Sequence, residues 1–326
     1  MNKKFIIILF SIVCSFNMFA QTTDSVADAA AAEKAEGKKA VRDPWACNVI
    51  VDNQTTNTNT KGSMEFMIHH RFANFSQGLD NLYGIYGSSN IRLGITYAVT
   101  DKIMIGFGSE KDNKQQEFTG KVKFLDQNRA GSVPVSVALF GNACINTNKK
   151  ETWGDGFKFD DKLSYFGQLM VSRKFSDRLT FQVAGCFSHF NKVESNKNKT
   201  VKITTDTVAG TTTTATTVTY KNKYANEAFG VSCGGRFKFY NEMSLVAEYN
   251  QPLLNLDFTK VENSDILKPK PNLVLGVEVA TSTHAFQIFV ASSKGITAQN
   301  NFVKNQVDYT DAKQLLIGFN ITVRLN

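Results

Sequence analysis

The chain predicts an all-β fold: a transmembrane, antiparallel, up-and-down β-barrel of about 12 strands, with long outer loops and short periplasmic turns. Three observations predict it. The final stretch, Gln314 to Asn326, places Leu315, Ile317, Phe319, Ile321, Val323 and Leu325 at every second position, with Leu316, Gly318, Asn320, Thr322 and Arg324 between them. Successive side chains of an extended strand point to opposite faces, so one face here is apolar and the other mostly polar, as lipid on one side and a wet lumen on the other require. The same alternation recurs from Met64 onward, and the joins between the alternating segments are short and long in turn.

The 326 residues include 26 Phe, 22 Gly and only 5 Pro. Mean hydropathy is −0.22. No internal run approaches the roughly 20 apolar residues of a spanning helix, which excludes an α-helical membrane protein. The N-terminus has the form of a secretory signal peptide over residues 1–20. Lys3 and Lys4 precede an apolar core from Phe5 to Val13, and Ala20 offers a small residue for cleavage. The bulky Val13 before Cys14 disfavours lipidation. Removing residues 1–20 leaves 35 basic and 29 acidic residues. That modest excess suits anionic lipid headgroups or an anion-favouring pore. No basic cluster interleaved with aromatics points to nucleic acid. The remaining cysteines, Cys47, Cys144, Cys186 and Cys233, lack CxxC or Cys/His metal spacing and read as small residues within strands. No cofactor is implied.

Residues 21–62 read as a periplasmic leader and spacer. Ser25 to Ala40 is Ala-, Lys- and Glu-rich, and Gln54 to Gly62 is Thr- and Asn-rich. Between them, Cys47 to Val51 is a short apolar run that suits either a strand in the barrel mouth or part of the leader. The barrel then occupies 63–326, with strands expected at 64–72, 90–99, 102–109, 117–125, 132–145, 162–174, 178–190, 225–240, 243–251, 271–282, 284–292 and 314–325. Pro134 is expected near the start of its strand, where a missing N–H does least harm. Short joins such as Thr100-Asp101 and Asn241-Glu242 carry Asp and Asn, which bond their own backbone in tight turns. An even strand count puts both termini in the periplasm. The long 191–224 loop holds a Thr-rich tract, Thr204 to Thr219, expected as disordered chain or as an exposed β-ribbon. Asp206-Thr207-Val208 resembles a glycosylation pattern that arises easily by chance.

With the apolar faces assigned to lipid, Glu65, His69, Arg71, Arg92, Lys121, Lys123, Arg236, Lys238, Glu248, Glu278 and Arg324 point inward. They suit either a narrow, mildly anion-favouring lumen or an interior filled by paired charges. Asp80, in the first long loop, is placed to fold in and pair with Arg71 or Arg92 as a constriction or a structural salt bridge. Catalysis fares worse. Ser188 and His189 are adjacent on one strand and face opposite sides, so they cannot pair, and His69, His70 and His284 have no Ser partner in reach along their strands. Asp155, Asp160 and Asp161 lack the spacing of an EF-hand loop.

One stretch is similar to a known family. His70-Arg71-Phe72, Gly78-Leu79-Asp80, Ile91-Arg92-Leu93-Gly94, Thr100-Asp101, Ile105-Gly106-Phe107-Gly108 and Lys121/Lys123 with Gln127 resemble the pattern of a Gram-negative outer-membrane β-barrel family catalogued as a domain of unknown function. Ala73 and Ser109-Glu110 depart from it, which puts a shared arginine feature of the lumen in doubt. The resemblance implies a barrel in the outer membrane and brings no activity with it.

The expected function is a narrow channel or transporter for small solutes. The alternative is a non-conducting structural or binding barrel, and an enzyme is the least favoured class. The expected surroundings are outer-membrane lipid and lipopolysaccharide, with a periplasmic partner for 21–62.

Overall fold

A computed structural model describes residues 39–42, 44–149, 158–193, 200–208, 211–219, 224–254 and 266–325. The expected signal peptide and most of the Ala-rich leader lie outside these residues. Fourteen strands follow one another: β1 (Met64–Asn74), β2 (Asn90–Thr100), β3 (Ile103–Glu110), β4 (Gln115–Leu125), β5 (Ser136–Asn146), β6 (Leu163–Lys174), β7 (Leu179–Phe190), β8 (Thr200–Val208), β9 (Thr211–Thr219), β10 (Glu227–Tyr240), β11 (Met243–Leu254), β12 (Asn272–Ala280), β13 (His284–Ala291) and β14 (Leu316–Leu325). Twelve of them close into one antiparallel barrel, β1-β14-β13-β12-β11-β10-β7-β6-β5-β4-β3-β2. Strands β8 and β9 form a separate two-stranded ribbon, the second of the two forms expected for the Thr-rich tract.

Closure falls where an up-and-down barrel requires it. β1 pairs with β14 from Met64↔Leu325 to Arg71↔Gly318, so neither terminal strand is left with an open edge. The alternation of β14 has the predicted sense. Leu316, Asn320 and Thr322 are buried in the lumen, while Leu325 is exposed at the rim. Across the sheet the outward residues are large and apolar, among them Ile95, Phe107, Phe118, Leu139, Leu169, Phe181, Val231, Leu245, Leu275 and Ile288, all exposed. A surface of that composition is stable only against lipid. Phe175, Phe239 and Tyr240 sit beside the short turns, where an aromatic girdle belongs.

Two expectations about the joins need correction. Pro134 lies before β5, which begins at Ser136, so the residue without an N–H is outside the ladder altogether. The short–long alternation is also imperfect. The join 111–114 at the long-loop end is tighter than 126–135 at the short-turn end. Here Asp112 to Lys114 close a single 3-10 turn and no loop is needed.

The larger correction concerns residues 44–62. Of the two placements open to residues 47–51 the inward one holds, and the residues flanking that run are not a spacer outside the barrel. Trp45, Cys47, Asn48, Val49, Ile50, Val51, Asn53, Thr55 and Thr56 are all buried. The segment runs along the short-turn rim, where Ala40 bridges Asn128, enters the lumen, and leaves it again to start β1. At the other end the 292–315 connection also turns inward. Its helix α1 (Ala298–Val303) buries Gln299, Phe302 and Val303. Phe302 stands 5.7 Å from the Phe166 ring and over Gly230, where a Cβ would meet it at 2.2 Å. A glycine at that inward position is what lets the helix in. The core of this protein is therefore inside the barrel.

The closure predicts that Met67→Cys with Thr322→Cys, placed in a background without the native cysteines, forms a disulfide in the folded protein, because these paired inward residues bring their Cα atoms within the span a disulfide needs. The check is a denaturing gel without reductant, in which the circularised chain migrates faster. Failure to cross-link under mild oxidant contradicts the β1–β14 pairing.

Candidate functional site

The inward hairpin is built from its own hydrogen bonds. Val49 bridges Gln54, Ile50 N–H donates to Asn53 O at 2.8 Å, and Thr55 N–H donates to Asn48 O at 2.8 Å. That leaves the tip, residues 50–53, with successive N–H groups pointing one way. Glu248 of β11 fills them. Its carboxylate accepts from Val51 N–H at 2.7 Å, Asp52 N–H at 3.0 Å and Asn53 N–H at 3.0 Å. Three consecutive backbone donors around one carboxylate make a nest, a site of fixed positive partial charge. Glu248 is 1% exposed, so the nest supplies the donors that this carboxyl group would otherwise take from water.

The tip is gripped from the other side through Asp52. Arg71 of β1 donates to Asp52 at 2.5 Å, and Asn272 of β12 donates to its second oxygen at 2.9 Å. Arg71 also donates to Asn320 at 3.0 Å, and its guanidinium lies 4.3 Å over the Phe289 ring. Gly318 leaves the room, since a Cβ there would meet Phe289 at 2.4 Å. Breaking a buried pair of this kind by removing one partner costs about 3–5 kcal/mol. Amide side chains complete the grip. Asn53 donates to Asn250 at 2.7 Å, Gln168 donates to Asn53 at 3.1 Å, and Gln182 donates to Gln54 O at 2.7 Å. Lys121 reaches Asn48 O at 3.1 Å and Asn57 O at 3.2 Å, and Arg324 donates to Ala46 O and, at 3.3 Å, to Glu65.

A second polar chain joins the long-loop insert to the wall. Ile296 N–H donates to Glu110 at 3.1 Å, and Gln299 and Asn142 bond each other's amides. Asn142 passes the chain to Glu117 at 2.5 Å, and Arg92 pairs with Glu117 through both Nε, at 2.7 Å, and Nη2. Between the two inserts a cavity of about 30 Å³ remains, lined by residues including Asp52, Asn53, His69, Arg92, Glu117 and Ile296. That is room for a water or two and for no solute. Below the hairpin the lumen widens into a vestibule of about 800 Å³, open at the short-turn end.

The sequence-predicted residues are mostly where alternation put them. Glu65, His69, Arg71, Arg92, Lys121, Arg236, Glu248 and Glu278 are buried in the lumen, and Lys123 and Arg324 line the vestibule. Arg236 pairs with Glu278 at 2.7 Å and Lys123 with Asp126 at 2.7 Å. Asp80 is the exception. It is exposed and pairs with neither arginine. Gly78, at φ 68°, and the 3-10 turns Phe75–Gln77 and Leu79–Gly84 hold that loop on the rim. Arg71 takes Asp52 instead and Arg92 takes Glu117. Asp52, Glu117, Gln168, Gln287 and Asn320 were missed because a search for inward charge passes over amides and over a segment assigned to the outside. For Glu117, Gln168, Gln287 and Asn320 the signal was the same period-2 position; Asp52, outside every strand, carried none.

Ser188 is buried inside while His189 faces out, bonded to Glu227 and Asn191 at 3.0 Å each. No histidine bonds a serine among the described residues. Nor does any cluster of three His, Cys, Asp or Glu side chains there suit a metal ion.

The family described as "Membrane bound beta barrel domain (DUF5777)" matches residues 46–325, a span that includes the inward hairpin. No curated protein matches the chain. Among solved structures it is similar to the KdgM porin at 6% identity, TM-score 0.43, over 81% of this chain and 99% of that one. It is similar to an outer membrane channel from Pseudomonas putida F1 at 10% identity, TM-score 0.44, over 84% and 100%. LpxR from Salmonella typhimurium is similar at 12% identity, TM-score 0.35, over 80% and 99%. These similarities are too distant to bear on activity.

The nest makes a prediction through Cys47. It is 2% exposed, and burial first, then the carboxylates of Glu278 and Glu65, push its thiol well above its ordinary pKa. Both effects suppress alkylation. With the other cysteines replaced, Glu248→Gln is expected to raise the rate of maleimide labelling at Cys47 about tenfold, the worth of one charged hydrogen bond. An unchanged rate contradicts the nest as the anchor of the hairpin.

Proposed function

The chain belongs to the membrane bound beta barrel family, and on that premise we propose that it is a gated outer-membrane channel for small solutes whose gate is its own 44–62 segment. The observation that carries this reading is the chemistry of the seal. A membrane barrel keeps its polar side chains inside, and in one filled for support alone those side chains pair with one another. This lumen is lined with charges and amides, and much of what satisfies them belongs to a hairpin whose two ends both leave through one mouth. A hairpin so threaded withdraws without passing any strand. Polar anchors exchange for water at small net cost, whereas a dry apolar seal does not.

In this reading the short-turn end faces the periplasm and the long loops, with the β8–β9 ribbon, face outward. The N-terminal signal peptide delivers the chain there. The rim end of the segment, where Ala40 bridges Asn128, then stands on the periplasmic side, where a partner is placed to pull on the hairpin. The surrounding lipid, lipopolysaccharide in the outer leaflet, meets the apolar faces of the strands.

Planar-bilayer recording tests the gate. The intact chain is expected to stay closed for most of the record, and a chain lacking residues 44–61 to show a steady conductance about tenfold or more above it in time average, given the several buried polar contacts removed. The deleted chain must keep the heat-dependent gel shift of a folded barrel. A folded deletion variant that conducts no more than the intact chain sinks the proposal and favours a non-conducting binding barrel.

A further inference from the structure

We infer that the short-turn vestibule is a binding site for small polyanions, solutes bearing several carboxylate or phosphate groups. Naming these as the cargo rests on the channel reading above; the binding itself does not. The vestibule holds about 800 Å³, within the range of small-molecule sites. Its charges are sorted by origin. Every charged side chain that a strand sends into it is basic: Lys123 of β4, Lys174 of β6, Arg236 and Lys238 of β10, and Arg324 of β14. The acids that line it, Asp126, Asp177 and Glu242, all lie in the connecting turns, and the Asp177 side chain is fully solvent-exposed. The concave wall is therefore positive and the rim negative.

Neutralisation within the protein is incomplete. Lys123, Lys174, Arg236 and Arg324 have carboxylate partners, at 2.7, 3.4, 2.7 and 3.3 Å. Lys238, and Arg42 from the incoming N-terminal segment, have no side-chain partner among the described residues. The two long side chains line the cavity without an acidic partner among the described residues. A concave wall of low dielectric focuses their field and that of their neighbours into the cavity. The cations stand on strands spread around the barrel, which suits a ligand with several separated anionic groups. A single small anion can engage only one part of such a ring, and a neutral solute gains nothing from it.

Calorimetric titration of citrate into the purified full chain in detergent at low salt tests this. Saturable binding is expected, lost at about 0.5 M NaCl through screening. Lys238→Gln is expected to weaken it about fivefold, and Arg42→Gln to act in the same direction without touching a strand. Lys102→Gln, exposed on a neighbouring turn outside the cavity, is expected to bind as the parent does. Inorganic phosphate is expected to bind more weakly than citrate, and sorbitol not at all. Absence of citrate binding, equal affinity in folded Lys238→Gln and Arg42→Gln, or phosphate binding as tightly as citrate overturns the inference. Citrate binding by the full chain together with a non-conducting deletion variant would leave this site standing and remove the channel. A conducting variant without citrate binding would do the reverse.

Discussion

The closed interior of this barrel depends on one interaction, the carboxylate of Glu248 held by three backbone N–H groups of the 50–53 tip. A membrane barrel gives its apolar faces to lipid, so the residues left for the interior are those that lipid rejects. Here they include Glu65, Arg71, Arg92, Lys121, Glu248 and Glu278, all buried. Twelve strands enclose too much space for these side chains to satisfy one another across it and too little for each to keep its own water. The inward hairpin resolves this. Its backbone supplies donors to Glu248 and acceptors to Lys121, Gln287 and Asn320, and its Asp52 supplies the counter-charge to Arg71.

Two inserts from opposite ends divide the interior by chemistry. The hairpin is held mainly by charges and amides, with Trp45, Ile50 and Val51 packed on Val246, Val274, Phe289 and Leu316. The long-loop insert is held more by packing, with Phe302 and Val303 set among Phe140, Phe166, Met170 and Ala228. Burying a side chain such as Phe302 contributes about 1.5–3 kcal/mol and is not easily exchanged for water. On the channel reading proposed above, the hairpin is then the insert that moves and the long-loop insert the one that stays. The basic wall beneath the hairpin belongs to the same logic, because strand positions near the short turns face a wet mouth, where a cation such as Lys238 lines the cavity without a carboxylate beside it.

Much of the barrel was legible in the sequence because period 2 is a strong signal when both faces are demanding. Ile91 to Val99, Leu179 to Phe187 and Leu315 to Leu325 each declare which side faces lipid, and strand ends came within a few residues of those observed. The interior was legible only in part. Alternation shows that Arg71 and Arg92 point inward. It does not show what they meet, because Asp52 and Glu117 come from elsewhere in the chain. Asp80 was the plausible partner by sequence proximity, yet Gly78 and its 3-10 turns keep it outside. Residues 44–62 were opaque for a related reason. A hairpin that satisfies its surroundings through backbone groups leaves little trace in its side chains, and its Thr- and Asn-rich composition resembles that of a linker.

Locking the hairpin to the wall tests the central claim most directly. Asn53 and Asn250 bond each other through their side-chain ends at 2.7 Å, so Asn53→Cys with Asn250→Cys, with the native cysteines replaced, places two thiols that a short bis-methanethiosulfonate reagent joins through reducible disulfides, fixing the tip. Single-channel recording of this one preparation, cross-linked and then reduced in place, compares the same barrel with the hairpin held and free. The account predicts a silent cross-linked protein and openings that return on reduction. Equal conductance in the two states would contradict it, since solute would then be crossing a barrel whose hairpin never moved.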